Sequence, residues 1–248
     1  MIIANGNCTV KIKDSAGDGT ITSSGVIGQA VNGATLEIDS GNFVSTRNNG
    51  FWAGGKNQTG HIIVNGGSIT AQEFCIVAGK DSSITVNNGQ FLAKDNAVFG
   101  GNGSAGYENI SITINGGEMT GKIQTSGYTG CGIYMPTNGN VEVNGGVFNI
   151  HGVGICARAG QVTVNSGDFI SDTVDAGWVG DKKTQISANG IYYDGAAKYP
   201  YLDSNAKVIV AGGTYMNTAD PTIAGVKITQ PDNGIEIQSE ISEWSVAD

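Results

Sequence analysis

The chain has 248 residues, of which 40 are glycine and only 4 are proline, and it shows no Gly-X-Y period, which excludes a collagen helix. Hydrophobic residues make up 39 %, but no apolar run approaches the roughly 20 residues of a membrane span, so we expect no membrane insertion. The net charge of −9, with Arg47 and Arg158 as the only arginines, argues against binding to a nucleic-acid backbone.

The start of the chain and its cysteines bear on compartment and on metal binding. Residues 1–6 lack the basic and long apolar regions of a secretory signal, so we expect synthesis in the cytosol, export by another route, or a fragment of a longer protein. The four cysteines form no C-x-x-C pair, which predicts that most of them are small buried side chains and that they form neither a zinc site nor a cofactor site. They are Cys8, Cys75, Cys131 and Cys156.

A repeated phrase runs along the chain after a degenerate copy at residues 10–27. It reads LEIDSGNF in the first clear copy, ITINGGEM in the fourth and VIVAGGTY in the seventh. The starts lie 21–29 residues apart, except for one interval of 46 that predicts insertions near residues 171–189 and 194–206. The seven copies start at Leu36, Ile62, Ile84, Ile112, Val141, Val162 and Val208.

Each repeat predicts three short β-strands. Val141 and Val143 alternate with Glu142, which is typical of a strand with one buried face. The next segment places Phe91 and Phe148 at one equivalent inward position. A hairpin at the intervening Asn-Gly would give antiparallel strands and would not explain the return of a whole phrase. A coil of three strands explains it, with equivalent strands stacked in parallel about 4.8 Å apart.

This pattern resembles the right-handed parallel β-helix of pectate lyases, phage tailspikes and bacterial surface proteins, over roughly residues 10–238. The resemblance implies an all-β, single-domain solenoid of about eight coils across residues 1–248. It would have an uncovered first coil and a short C-terminal cap near 239–248. The resemblance also implies a ladder of buried turn amides that follows Asp39 and ends before Ala211. The ladder residues are Asn65, Asn87, Asn115, Asn144 and Asn165.

Three acids are weak candidates for catalysis: Glu118, Glu142 and Asp168. Glycosidases place two carboxylates about 5–9.5 Å apart, and equivalent outward positions two coils apart would separate Glu118 from Asp168 by about 9.6 Å. The simpler interpretation is that these acids keep the surface soluble. The insertions hold further polar and aromatic residues, which either frame a groove or belong to solvated loops. These are Asp172, Asp175, Asp181, Asp194, Trp178, Tyr199 and Tyr201.

The remaining segment of each repeat predicts an apolar row on the outside of the rod. With Ile76, Val98 and Ile133 assigned inward, the following residues point outward. Such a strip marks a protein interface or a glycan-stacking surface, unless loops of the same chain cover it. The row consists of Trp52, Val77, Phe99, Tyr134, Cys156 and Tyr192.

These observations favour a non-enzymatic structural β-helix module that mediates assembly or adhesion. The expected setting is a phage virion, as capsid decoration, fibre or tail component, or the outer surface of a bacterium. Expected partners are other protein chains of that assembly, with a homotrimer and glycans as further candidates, and no nucleic acid. The alternatives are a polysaccharide lyase or glycoside hydrolase that depolymerises cell-surface glycans, and a carbohydrate-binding solenoid without catalysis.

Overall fold

The computed structural model describes residues 1–122, 130–157, 159–172, 175–177, 185–187, 191–193, 207–218 and 238–239. All regular secondary structure within these residues is β-strand. None of them belongs to a helix with the length and apolar character needed to cross a membrane.

Three long parallel sheets make up the structure, and one short hairpin accompanies them. The first sheet contains β1 Ile2–Asn5, β4 Gly28–Val31, β7 Phe51–Ala53, β10 Ile76–Ala78, β13 Ala97–Gly101, β16 Gly130–Met135, β19 Gly152–Ala157 and β24 Ile191–Tyr193. The second contains β2 Thr9–Ile12, β5 Ala34–Ile38, β8 Gly60–Val64, β11 Ser83–Val86, β14 Ile110–Ile114, β17 Gly139–Val143, β20 Gln161–Val164, β25 Lys207–Val210 and β27 Gln238–Ser239. The third contains β3 Thr20–Ser23, β6 Asn42–Ser45, β9 Ser68–Ala71, β12 Gln90–Ala93, β15 Glu118–Gly121, β18 Val147–Ile150, β21 Asp168–Ser171 and β26 Thr214–Asn217.

The order of the strands shows how the chain is wound. Successive strands visit the first, second and third sheets in turn, so every coil adds one strand to each sheet. The chain is therefore a parallel β-helix with three strands per coil, as predicted. It makes about six turns, slightly fewer than the predicted eight coils. Residues 1–172 place seven strands in each sheet, and six turns join seven layers.

The core is a set of apolar columns that run along the axis inside the three sheets. Period-two alternation buries one side chain in two on each strand, because adjacent residues face opposite sides of a sheet. In the third sheet the aromatic rings of Phe148, Phe169 and Tyr215 stack in successive coils, with centroids 4.5 and 5.0 Å apart. Isoleucine and valine fill most of the described inward positions of the second sheet. The inward columns form one continuous cluster along the rod.

The bend between the second and third strands explains the Asn-Gly-Gly of the repeat. A Cβ on Gly116 would lie 2.8 Å from the carbonyl oxygen of Asn87 in the preceding coil, so the backbones touch there. Gly117 has a φ of 100°, a left-handed conformation that costs glycine little. The first glycine is therefore required by the stacking distance, and the second by the turn of the backbone.

The register of the first sheet corrects one prediction. Phe99 pairs with Ile76 and with Ile133, both of which face the core, and its side chain is fully buried. Its ring meets that of Phe91 edge-on, with centroids 4.8 Å apart. The outward assignment of Phe99 is therefore wrong. All five residues of β13 are buried, so alternation carries no information about which of them face inward.

Several predicted features lie partly or wholly outside the described residues. Only residue 239 of the C-terminal cap near 239–248 is described. The insertion near 171–189 contains a short antiparallel hairpin, β22 Asp175–Gly177 with β23 Gln185–Ser187. The insertion near 194–206 lies outside the described residues, as do Asp181, Asp194, Trp178, Tyr199 and Tyr201.

Candidate functional site

Within the described residues, the outer face of the third sheet is an open surface along the rod. Each of its strands presents alternate side chains outward, and parallel pairing aligns them in columns. The acidic column is Gln90, Glu118, Val147 and Asp168, and the middle column is Leu92, Thr120, Asn149 and Ile170. The residues that follow these strands form the basic column, which is Lys94, Lys122, His151 and Asp172. We call these three columns together the third-sheet face.

Two connected depressions cover much of the third-sheet face. One has a volume of about 590 Å³ and is lined by residues of β15, β18 and β21 and by Thr218. The other, of about 420 Å³, reaches from Ser68 to Glu118. Thr120 and Lys122 line both depressions, so they form one shallow surface along the axis. A long, shallow surface of this kind suits an extended partner.

The structure separates the three candidate catalytic acids into two groups. Glu118 and Asp168 lie in one column, with Val147 between them, as their spacing predicts. They are two strands apart, which corresponds to about 9.6 Å. Glu142 faces outward from the second sheet, so it does not belong to the third-sheet face. Its carboxylate accepts a hydrogen bond from Asn165 at 3.2 Å.

The basic column holds the opposite charge at the other edge of the third-sheet face. Lys94 and Lys122 are exposed neighbours on adjacent coils, and neither forms an ion pair with another described residue. In the next two coils the Nδ1 atom of His151 contacts the carboxylate of Asp172. Acidic and basic edges are separated by four residues along a strand, about 13 Å. Neither lysine was predicted as part of a site, although each directly follows a predicted strand of the repeat.

The apolar row of the first sheet is largely covered within the described chain. Trp52 faces outward and is half-buried against Tyr107, with ring centroids 6.0 Å apart. Tyr107 belongs to the loop 102–109, whose Gly106 carbonyl accepts a hydrogen bond from the Asn57 amide. Val77 is only 2 % exposed. This loop shields part of the predicted strip.

The other members of the row differ in their exposure. Tyr134 is half-buried, and Cys156 is fully buried although it pairs with Tyr134 on the neighbouring strand. The backbone of Tyr192 continues the row by pairing with Cys156, and its side chain lies outside the described residues. Because Phe99 faces the core, the described side chains form no continuous apolar strip.

The asparagine ladder spans six coils of the rod. Asn115 donates its Nδ2 hydrogen bond to Oδ1 of Asn87 at 2.9 Å and accepts one from Asn144 at 3.0 Å. Asn65 and Asn165 continue the same chain of bonds at 2.8 Å. Every bond points toward the N-terminal coil. The expectation that these amides are buried is wrong, since all but the half-buried Asn65 are exposed. Each follows an inward valine or isoleucine, and alternation turns it outward.

Asp39 is the first residue of the ladder, so its side chain only has to accept a hydrogen bond. Its carboxylate accepts the Asn65 amide at 2.8 Å, and this hydrogen bond lowers the pKa of Asp39, with a smaller contribution from Lys11. Lys11 lies 3.4 Å from Asp39 and 3.0 Å from Glu37, whose hydrogen bond raises the pKa of the lysine. An acid therefore fits the N-terminal end of the ladder but not its middle.

We expect Asn115→Leu to lower the free energy of unfolding by about 0.5–1.5 kcal/mol, because two exposed hydrogen bonds are lost. Asn115→Asp should also destabilise, since a carboxylate accepts from Asn144 but cannot donate to Asn87 and places two acceptor oxygens opposite each other. Urea unfolding followed by circular dichroism measures both. Thr113→Val is the matched control, an isosteric change at an outward position of the same strand that should stay within about 0.5 kcal/mol. Equal losses in all three variants would contradict a stabilising ladder.

Among the residues that the structure describes, the remaining titratable groups form no metal centre. Both carboxylate oxygens of Asp14 accept backbone amides, from Ala16 at 3.0 Å and Gly19 at 2.7 Å, and these bonds lower its pKa, Gly19 most. Within the described residues, no group of three or more His, Cys, Asp or Glu side chains could hold a metal ion. His61 forms a hydrogen bond with Ser83 through Nδ1 at 2.8 Å on the second sheet, so it does not belong to the third-sheet face.

Comparison with known protein families, with curated proteins and with solved structures gave no match to this chain.

Proposed function

We propose that the protein is a non-enzymatic β-helix module of a phage virion or bacterial surface, where it mediates assembly or adhesion. The observation that carries this proposal is the third-sheet face, which the described part of the chain leaves open and which is regularly patterned along successive coils of a rod. A rod with a continuous core holds such columns at fixed spacing, so it can present one extended face to a partner.

The test is co-sedimentation of the purified chain with particles and cell envelopes of its source. We expect the chain to sediment with one of these fractions, and a variant with a reversed charge on the third-sheet face, Lys122→Glu, to sediment less. Lys56→Glu, on the opposite side near the loop 102–109, serves as the control. A chain that remains in the supernatant with every fraction would contradict assembly and adhesion.

A depolymerase is the second candidate, because Glu118 and Asp168 share one column of an open surface. Their separation, about 9.6 Å by strand spacing, is at the upper limit of the range for inverting glycosidases. Reducing-sugar and unsaturated-product assays on capsular and pectic glycans test it. Activity that disappears in a folded Asp168→Asn variant would favour the enzyme over the structural module. A carbohydrate-binding solenoid predicts retention on the same glycans without product.

A further inference from the structure

We propose that the third-sheet face binds a second copy of this chain, forming a weak dimer of parallel rods around a two-fold axis that runs along them. This inference rests on the proposed assembly function and names the partner and the surface. It also moves the side-by-side contact from the covered row of the first sheet to the third sheet. Charge complementarity and self-matching of the middle column support it.

The charges of the third-sheet face select one of two symmetric arrangements. Two rods can meet face to face around an axis parallel to the rods or around an axis across them. The axis across the rods lays the acidic column over an acidic column and lysines over lysines, which is repulsive. The axis along the rods lays the acidic column over the basic column of the other copy, coil for coil. Glu118 then faces Lys122 of the second copy, and symmetry forms this pair twice.

The preceding coil fits the same arrangement. Gln90 faces Lys94 of the second copy, which lies one coil before the Glu118 pair. Each lysine thus gains an acceptor that the described part of a single chain does not provide for it. Without such acceptors, Lys94 and Lys122 repel each other across adjacent coils, about 4.8 Å apart at the backbone.

The middle column is matched with itself by the two-fold axis. Leu92 meets Leu92 and Ile170 meets Ile170, which buries apolar surface on both copies. Thr120 and Asn149 also meet their own equivalents, and hydroxyl and amide groups both donate and accept, so each such pair can form hydrogen bonds. All four residues are half-buried in the single chain and therefore still have surface to cover.

The area and one unfavourable contact limit the strength of this dimer. Seven strands at about 4.8 Å and a width of about 13 Å give a flat area of roughly 400 Å² per copy. The total of roughly 800 Å² is below the roughly 1,200 Å² at which standard specific interfaces begin and is in the range of weak, transient contacts. Asp168 also faces Asp172 of the second copy, and these like charges oppose association. We therefore expect a weak dimer with a Kd of about 1 µM or above. A high local concentration in an assembly would populate this dimer.

Charge exchange between two variants tests the proposal. Sedimentation equilibrium across a range of concentrations should show a dimer for the unmodified chain. Glu118→Lys and Lys122→Glu should each weaken it by roughly tenfold or more, because each places like charges opposite each other. A mixture of the two variants should associate again. At positions 118 and 122 one variant is positive at both and the other is negative at both, so opposite charges face each other in the mixed dimer. The double variant should also recover association.

The controls separate this interface from general charge effects and from misfolding. Lys56→Glu, on the other side of the rod, should leave the Kd within about twofold, and Asp168→Asn should tighten the dimer. Equal melting temperatures would show that the surface variants are folded. A chain that is monomeric at every concentration, or a mixture that associates no better than its components, would overturn the proposal. If that monomeric chain still sediments with particles or envelopes, the proposed function stands and its partner is a different molecule.

Discussion

Phe99→Ser should lower the free energy of unfolding by more than about 3 kcal/mol, whereas Tyr134→Ser should cost less than about 1.5 kcal/mol. Phe99 is fully buried against Phe91, so its removal leaves a cavity and places a hydroxyl in an apolar environment. Tyr134 is half-buried on the outer side of the same sheet, where water can replace part of its contacts. Urea unfolding of the two single variants provides the comparison.

This pair of variants tests the register of the first sheet directly. Both residues were expected in one outward row, and that assignment would give them similar, modest effects. In the structure they face opposite sides of the sheet, because Phe99 pairs with Ile133 and Gly100 pairs with Tyr134. A loss for Tyr134→Ser as large as that for Phe99→Ser would show that the register described here is wrong.

Gly60→Ala should be among the most damaging single-atom additions in this chain. A Cβ at Gly60 would overlap the carbonyl oxygen of Ala30 and would lie 2.5 Å from the amide nitrogen of Gly54. Both atoms are backbone and hydrogen-bond each other at 2.7 Å, so neither can move aside without opening the coil. We expect a loss of at least about 2–3 kcal/mol, the range of an overpacked core.

Gly25→Ala is the control for this prediction. Its Cβ would meet only the Ser23 hydroxyl oxygen, at 4.0 Å, and its φ is not in the left-handed region. That substitution should stay within about 0.5 kcal/mol, or stabilise slightly, because alanine restricts the unfolded chain more than glycine does. Thermal melting of the two variants under one set of conditions distinguishes them. A Gly60→Ala protein as stable as Gly25→Ala would mean that adjacent coils do not approach this closely.

The sequence predicted the second and third sheets more accurately than the first, for a physical reason. In β14 and β17, inward valines and isoleucines alternate with outward polar residues, so one residue of slip would bury Thr113 or Glu142. In the third sheet, the same contrast between apolar and polar residues fixed the outward positions of Glu118 and Asp168. In β13 every residue is small or apolar and all are buried, so the residue pattern fits either register equally well.

Burial of the asparagine ladder illustrates a second limit of the sequence. Recurrence of Asn before Gly-Gly or a near variant was sufficient to predict that Asn87, Asn115 and Asn144 stack. The recurrence does not indicate whether these side chains face the core or the solvent, since an amide forms the same hydrogen bond inside or outside the coil. The alternation of the preceding strand decides this, and it turns the ladder to the surface.

The sequence by itself determined that this protein is a parallel β-helix, because a phrase that recurs every coil can bury its apolar positions only by stacking on its own copies. Only the tertiary structure decided which surfaces remain open. The cover over Trp52 comes from Tyr107, more than fifty positions later in the chain, and no local pattern predicts where such a loop lies. Likewise, Lys122 and Glu118 are separated in sequence from Lys94 and Asp168, and winding of the chain brings them onto one face.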